Sequence, residues 1–396
     1  MDKITVQQKR FIDAKGRHVI LNGINMVYKG ELVCGKMNYI PPWNEEDFKL
    51  LRDWGFNVVR LGLIWDAVEP EPGVYNEAYL DWIESMLDLC ARYGIYAFLD
   101  MHQDLYSMRY SDGAPEWATL TDGLPHAEGE LWSDAYLFSE AVQRAFDHFW
   151  ANSPVSSGKG LQEHYRDMWL HIVPRFKDHP ALLGYDFLNE PFPGTKGRDI
   201  FGALLAVFAD QIGSQEDLLE VFTDPSKKLG LLALLENEDL YHTLARSVEP
   251  MLAEFDQGVL AEFYQNLTQA VRQLDSQGII MREHSYFSNM GIQCKAPLIM
   301  AGPNQVDPNQ AYSPHGYDLV VDTDAIIMAS NKRIDVIFGT HKRTQDSLNV
   351  PVLVGSGEHI DTTRLALVIL NTYCRFLKEI SGATPIGTMK ITFRLL

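Results

Sequence analysis

Cysteine is scarce in this chain: four in 396 residues (Cys34, Cys90, Cys294, Cys374), none of them in a Cys-x-x-Cys pair. That spacing supports neither a zinc ribbon nor a redox motif, so buried free thiols and a reducing compartment are expected. Basic residues are also in short supply, 34 against 53 acids, for a formal net charge of −19. Such a surface repels nucleic acid phosphates and anionic membranes and suits a neutral or cationic substrate, which argues against a nucleic acid partner. No run of about 18 apolar residues occurs, so no stable membrane insertion is expected. The first ten residues carry no apolar segment behind their charges. The chain as it stands therefore reads as cytoplasmic, or as secreted if a signal precedes Met1. Tryptophan is missing after Trp169, and acidic residues are missing after Glu379. What is present, 46% hydrophobic and 22% charged residues, excludes disorder and a collagen or disulfide scaffold.

Short apolar or β-branched runs alternate with longer amphipathic segments, the pattern of parallel strands joined by crossover helices. Strands are expected at His18–Asn25, Asn57–Leu63, Ile95–Asp100, Leu182–Leu188, Gly278–Arg282, Ala311–His315 and Val350–Val354, with a weaker one from Gly382. Helices are expected at Glu45–Trp54, Glu77–Tyr93, Tyr136–Trp150, Leu161–Phe176, Val259–Ser276 and Thr362–Glu379, with Asn44 and Asp361 as N-caps. Eight strands interleaved with helices predict a (β/α)8 TIM barrel, an α/β fold in a single domain over residues 1–396. An open dinucleotide-binding sheet loses its main support, because Asn25-Met-Val-Tyr-Lys29 stands where a glycine-rich turn is needed.

A barrel takes roughly 250 residues, so the excess lies in insertions: Gln103–Asp134 after strand 3, and a helical stretch of about 194–257 after strand 4. Apolar clusters in the second (Phe201, Leu204, Leu205, Phe208; Leu218, Leu219, Phe222; Leu231, Leu232, Leu234, Leu235) have two readings. They are the packing of a helical cap, or an apolar wall for a lipid-like aglycone.

Barrels place their chemistry at the C-terminal ends of strands. Strand 2 holds Arg60, strand 3 runs into Asp100-Met-His102-Gln103-Asp104, strand 4 ends Asn189-Glu190-Pro191 and strand 6 ends His315-Gly-Tyr317. A lone strand-end Glu also marks a structural ion pair, and a lone His a satisfied core residue; their recurrence on successive strands is what points to a site. Glu190 is the sharpest candidate, because an acid that keeps its proton at neutral pH needs partial burial at the end of an apolar strand. Asn189 beside it is suited to bind a sugar 2-hydroxyl. Glycosidic cleavage asks for a second carboxylate, about 5 to 5.5 Å away for retention and about 6.5 to 9.5 Å for inversion.

These residues resemble glycoside hydrolase family 5, whose members are retaining (β/α)8 glycosidases: Arg60, His102, Asn189-Glu190-Pro191, His315-x-Tyr317 and Val350-Pro-Val-Leu-Val-Gly355 carry the likeness. Further stretches are similar to its endoglycoceramidase branch, which removes the intact glycan from glycosphingolipids. They are Gly16–Asn25, Tyr28-Lys29, Asp100–Asp104, Asp112–Trp117, His148–Asn152 and Gly184–Gly194. The resemblance implies that Glu190 is the acid/base, with Asn189, His102 and Arg60 beside it and His315 and Tyr317 near the nucleophile. It makes Lys29 and Asp104 contacts of the first sugar and Trp150 a sugar-stacking platform, and it implies no metal or organic cofactor. Arg60 is expected to keep the nucleophilic carboxylate ionised. The partner it implies is a carbohydrate or glycolipid substrate.

Two departures follow. The family's nucleophile is a Glu after Val-Gly on strand 7, whereas here the strand runs Val354-Gly355-Ser356-Gly357-Glu358. Ser356 takes the place, and a hydroxyl without an adjacent base is a poor nucleophile. Glu358 lies two residues on, about 6.6 Å along a strand, and reaches the anomeric carbon only through a bulge. Strand 8 is expected to supply a Trp platform, but Pro385 interrupts it and the tail of 385–396 is aberrant. Read one base out of phase, codons for that tail can spell Tyr-Trp, so a shifted frame is expected to have replaced the natural C-terminus. The rival readings are an endo-β-glucanase or β-mannanase of the same superfamily, and a catalytically impaired barrel that binds glycans.

Overall fold

A computed structural model describes residues 1–213, 224–321 and 328–357 of the chain. Six parallel strands form one sheet in chain order: β1 (Gly23–Met26), β2 (Val58–Ile64), β3 (Tyr96–His102), β4 (Leu182–Asp186), β5 (Ile279–Arg282) and β6 (Gln310–Tyr312). The segment that ends in Ser356–Gly357 docks on β6 in parallel, through Tyr312↔Val352 and His315↔Ser356, and takes the seventh position. This is the curling sequential sheet of a (β/α)8 barrel. The weaker strand from Gly382, the helix Thr362–Glu379, its cap Asp361 and the 385–396 tail lie outside the described residues.

β2 (VVRLGLI) is buried at every position, as expected where helices cover one face and the barrel core the other. The chain enters the barrel later than the sequence suggests. His18–Val19 belongs to a small antiparallel sheet with Thr5–Gln7 and Arg10–Ile12, and only Gly23–Met26 joins the barrel. Ile4 and Phe11 of that N-terminal segment pack on Val58, Phe98, Leu183, Ile279 and Ala311, closing the end of the barrel opposite the site.

Besides two single-turn helices (Trp65–Val68 and Ala135–Phe138), the described helices are α1 (Glu45–Asp53), α2 (Glu77–Tyr93), α3 (Glu140–Trp150), α4 (Leu161–Phe176), α5 (Thr195–Ile212), α6 (Pro225–Leu234), α7 (Glu238–Gln257), α8 (Val259–Arg272) and α9 (Asn331–Leu348). In α2 the local signals agree with one another. Asn76 caps the start by accepting from the Tyr79 N–H, and Gly94, at φ +70°, closes the end. Tyr79, Leu80, Ile83, Met86, Leu87 and Cys90 make its buried stripe. The helix expected over Tyr136–Trp150 is broken at Ser139, whose hydroxyl accepts from Val142 N–H and starts α3 afresh. The insertion after β4 is helical as expected, with α5, α6 and α7 within it. Of the cysteines, Cys90 and Cys294 are buried free thiols, whereas Cys34 is exposed at a hairpin tip, where burial was expected. Among the described residues no helix is long and apolar enough to cross a membrane.

Candidate active site

The C-terminal ends of the strands open into a cavity of about 510 Å³. Its floor is polar: Asn25 from β1, His102 and Asp104 from β3, Asn189 and Glu190 after β4, Tyr317 after β6, and Ser356 at the seventh position, with Lys29 at one side. Its upper wall is apolar and comes mainly from the insertion, with Phe201, Leu205 and Phe208 of α5, Leu231 and Leu232 of α6, and Leu244 of α7. The two readings of the insertion's apolar clusters thus meet, since these side chains pack as a cap and also line the cavity. Leu218, Leu219 and Phe222 lie outside the described residues.

Parallel register explains how the charged floor is assembled. Asp100 of β3 stands opposite Asp186 of β4, and Arg60 of β2 reaches between them. The Arg60 guanidinium donates to Asp100 at 2.8 Å, Asp186 at 3.0 Å, Asn189 at 3.0 Å and Glu283 at 2.5 Å. Arg60, Asp100, Asp186 and Glu283 are all buried. Three carboxylates around one cation do not all ionise readily. Burial first, then the negative charge of Glu283, pushes Asp186 well above the usual carboxylate range. Against burial, His315 and Arg60 hold Glu283 down to about 2.

Arg60 is taken up by the acidic cluster. Its cation is enclosed by Asp100, Asp186 and Glu283 behind the floor and does not line the cavity; it orders Asn189 and the acidic cluster, and Glu358, the carboxylate it was expected to keep ionised, lies outside the described residues. Trp150 departs from the role expected of it. Its indole N–H donates to the Phe192 carbonyl and its ring packs edge-on against Phe255 and Phe263, away from the cavity lining. A large aromatic that closes α3 against α7 and α8 is held by packing, not offered to a sugar.

Glu190 is 6% exposed and sits at φ +44°, a left-handed backbone that a glutamate rarely adopts. Its Oε1 accepts from Asn289 Nδ2 at 2.8 Å and lies 2.8 Å from His315 Nδ1. Asn189 donates to the Gln103 carbonyl at 2.9 Å while its Oδ1 accepts from Arg60, which locks its amide. His102 shares a proton with Asp100 at 2.9 Å. Burial works against a charged ring there, but Asp100 outweighs it and lifts His102 to about 10. Lys29 bonds Asp104, lies 3.5 Å from Asp112 and sits 5.2 Å from the centre of the Trp132 ring. Against burial, Lys29 holds Asp104 down to about 2, whereas burial and then Asp104 push Asp112 up to about 6.

On the strand-7 side the floor is sparser. Ser356 Oγ accepts from Asn25 Nδ2 at 3.0 Å and meets the Tyr317 hydroxyl. Gly355 before it has no room for a side chain, since a Cβ would come within 2.7 Å of His315 Nε2. Glu358 lies outside the described residues. Of the residues singled out from sequence, the structure brings Glu190, Asn189, His102, Tyr317, Lys29 and Asp104 to the cavity and sets His315 immediately behind Glu190. Sequence reasoning missed Glu283, Asn289 and Trp132. Glu283 closes the strand Gly278–Arg282, so the rule that picks out Glu190 also points to it.

Residues 12–364 match cellulase, glycosyl hydrolase family 5, and the chain belongs to that family. It is 33% identical over 223 residues to an endoglycoceramidase of Cyanea nozakii, an overlap that covers 50% of this chain and 43% of that protein. Among solved structures, endo-glycoceramidase II from Rhodococcus sp. in complex with ganglioside GM3 superposes with a TM-score of 0.69 at 27% identity, covering 95% of this chain and 75% of the other. The same enzyme as a lactosyl-enzyme intermediate gives 0.66 at 27% identity, over 93% of this chain and 73% of the other. The match spans less than half the length of the curated relatives.

Proposed function

We propose that this protein hydrolyses the O-glycosyl bond between a glycan and the lipid of a glycosphingolipid, with retention of configuration. The observation that carries the reading is the two-natured cavity, in which a hydrogen-bonding floor around Glu190 continues into an apolar wall from α5, α6 and α7. A sugar suits the floor and an acyl or sphingoid chain suits the wall. A soluble polysaccharide has no use for that wall, which disfavours a glucanase or mannanase. The relatives named endoglycoceramidase, and the GM3 complex of one of them, support the same substrate class.

In this reading Lys29 and Asp104 bind the first sugar, and Asn189 binds its 2-hydroxyl. Glu190 donates its proton to the leaving oxygen, a strand-7 carboxylate attacks the anomeric carbon, and ionised Glu190 then deprotonates the water that releases the glycan. Glu358 is the first carboxylate past Ser356 and takes the nucleophile's part. A second reading rests on Ser356 itself. Its hydroxyl lines the cavity and is held by Asn25, an arrangement that serves binding without cleavage.

Lactosylceramide in mixed detergent micelles, with carboxymethylcellulose and mannan as controls, tests the proposal. Release of lactose, with the polysaccharides untouched, is expected. Binding of lactosylceramide without release, combined with hydrolysis only in Ser356→Glu, selects the second reading.

A further inference from the structure

Glu283 is fully buried just past β5 and lies behind the cavity wall, not on it. Its two oxygens serve different parts of the site. Oε2 accepts from the Glu190 backbone N–H at 2.6 Å, the peptide group of the residue held at φ +44°. Oε1 accepts from Arg60 at 2.5 Å and lies 3.0 Å from His315 Nε2. The other ring nitrogen of His315 is 2.8 Å from Glu190 Oε1. A neutral imidazole has one N–H, whereas an imidazolium sets a positive charge against both carboxylates, through the Nδ1 contact with Glu190 and the ion-pair distance of Nε2 from Glu283.

The second donor to Glu190 Oε1 is equally fixed. Asn289 Nδ2 faces it while Asn289 Oδ1 lies 2.8 Å from His284 Nε2; that nitrogen also sits 3.1 Å from the His315 backbone N–H, and His284 Nδ1 meets the Tyr312 hydroxyl at 2.7 Å. Among the described residues, both donors converge on Oε1 of Glu190.

We infer that Glu283 is a positioning residue for Glu190: it fixes the backbone through the Glu190 amide and keeps a cation on Oε1 through the His315 ring. This leaves Oε2 as the atom that passes the proton to and from the glycosidic oxygen. The inference rests on the reading of Glu190 as acid/base and names the residue that regulates it.

The groups facing His315 agree. From β2 comes Arg60, from the ends of β4 and β5 come Glu190 and Glu283, and from strand 7 comes the uncharged Gly355–Ser356 segment. His284, after β5, and Tyr317 lie with ring centres 6.5 and 6.3 Å away. Burial, first of all, pushes His284 well below the usual imidazole value, and burial holds His341 of α9 near 3, so neither competes for the proton. Burial opposes a charge on His315 as well, but Glu283 and then Glu190 overcome it and raise the ring to about 8.

Histidine 15N NMR of the full chain tests the inference without turnover. At pH 7 both ring nitrogens of His315 are expected to be protonated, with a midpoint near 8. In Glu283→Gln the midpoint is expected to fall by about one pH unit or more. The alkaline limb of kcat for lactosylceramide is expected to move down with it while KM stays within about twofold, a split that a merely structural role does not produce. A neutral His315 ring at pH 6 in the wild type overturns the inference and needs no variant to fold. An unmoved midpoint in a folded Glu283→Gln protein also overturns it, and does so alone if hydrolysis persists in the wild type. An inert wild type in which the midpoint still falls overturns the hydrolytic reading and leaves the clamp in place.

Discussion

The two sides of the cavity floor differ in how firmly they are held. On the strand-4 side, Glu190 is fixed at its amide by Glu283, at Oε1 by Asn289 and His315, and through Asn189 by Arg60 and Gln103. On the strand-7 side, a serine hydroxyl is held by one amide and one phenol, with glycine on both sides of it. In the proposed mechanism, a pre-organised acid/base is thus paired with an uncharged serine at the position expected for the nucleophile. On the proposed mechanism, proton transfer and covalent attack are separable pieces of architecture: the first is a network spread over strands 2, 3, 4, 5 and 6, the second a single side chain on one strand. In that mechanism a change in the one side chain leaves the network intact.

The contrast breaks hardest at Glu190. Glu190→Gln keeps the shape and the acceptor but cannot donate and accept the proton, and kcat for lactosylceramide should fall on the order of 10²- to 10⁴-fold. Steady-state rates at saturating substrate check this, and a loss below about tenfold would place the acid elsewhere. Next comes the strand-7 side. Glu358→Gln should abolish release of lactose by on the order of 10²-fold or more, whereas Ser356→Ala should cost less than about tenfold. Trapping with a 2-fluoroglycoside followed by peptide mass spectrometry identifies the labelled residue directly; label on any residue other than Glu358 refutes the assignment.

How far this floor is legible in the sequence depends on whether each residue's partners are local. Glu190 and Asn189 announce themselves because both sit in one tetrapeptide at the end of an apolar strand, and Arg60 and His102 because they punctuate otherwise apolar runs. Six strand positions in the sheet were readable for the same reason, although the first began too early, at His18, because the apolar Val19-Ile-Leu21 of one sheet runs on within three residues into Ile24 of the other and hides the switch between them. Glu283 and Asn289 gave weaker signals. Their importance comes from register, which sets the β5 end beside the β4 end, and no spacing along the chain records that. Trp150 misled in the opposite sense. An aromatic near the site in sequence is packed between helices in space, because Phe255 and Phe263 arrive from helices about a hundred residues away.

The upper wall offers a smaller effect that separates lipid from sugar. Phe208 and Leu205 belong to the cap, far from the floor in chemistry, so Leu205→Ser should raise KM for lactosylceramide by about tenfold through lost apolar contact. Hydrolysis of a soluble aryl lactoside by the same variant should change by less than about twofold. Equal losses on both substrates would mean that the wall supports folding alone and does not hold the lipid.

The smallest effect concerns stability and turns on His102. Its ordinary value is 6.5 and the folded ring is held at about 10 by Asp100, so the folded state binds a proton more tightly than the unfolded chain does. A raised histidine contributes stability that is fully present below about pH 6.5 and is lost as pH rises through about 10. Tm should therefore decline between pH 7 and pH 10 by more in the wild type than in Asp100→Asn, where the ring loses its main partner. The difference in the decline should be on the order of a few °C for a domain of this size. Arg60 keeps its bonds to Asp186 and Glu283 in that variant; because Asp100 also helps raise Asp186, the NMR midpoint of the His102 ring, followed alongside the melts, assigns the difference. Parallel melting curves for the two proteins would show that the ring is neutral in the folded state, and would remove His102 from the charged half of the floor.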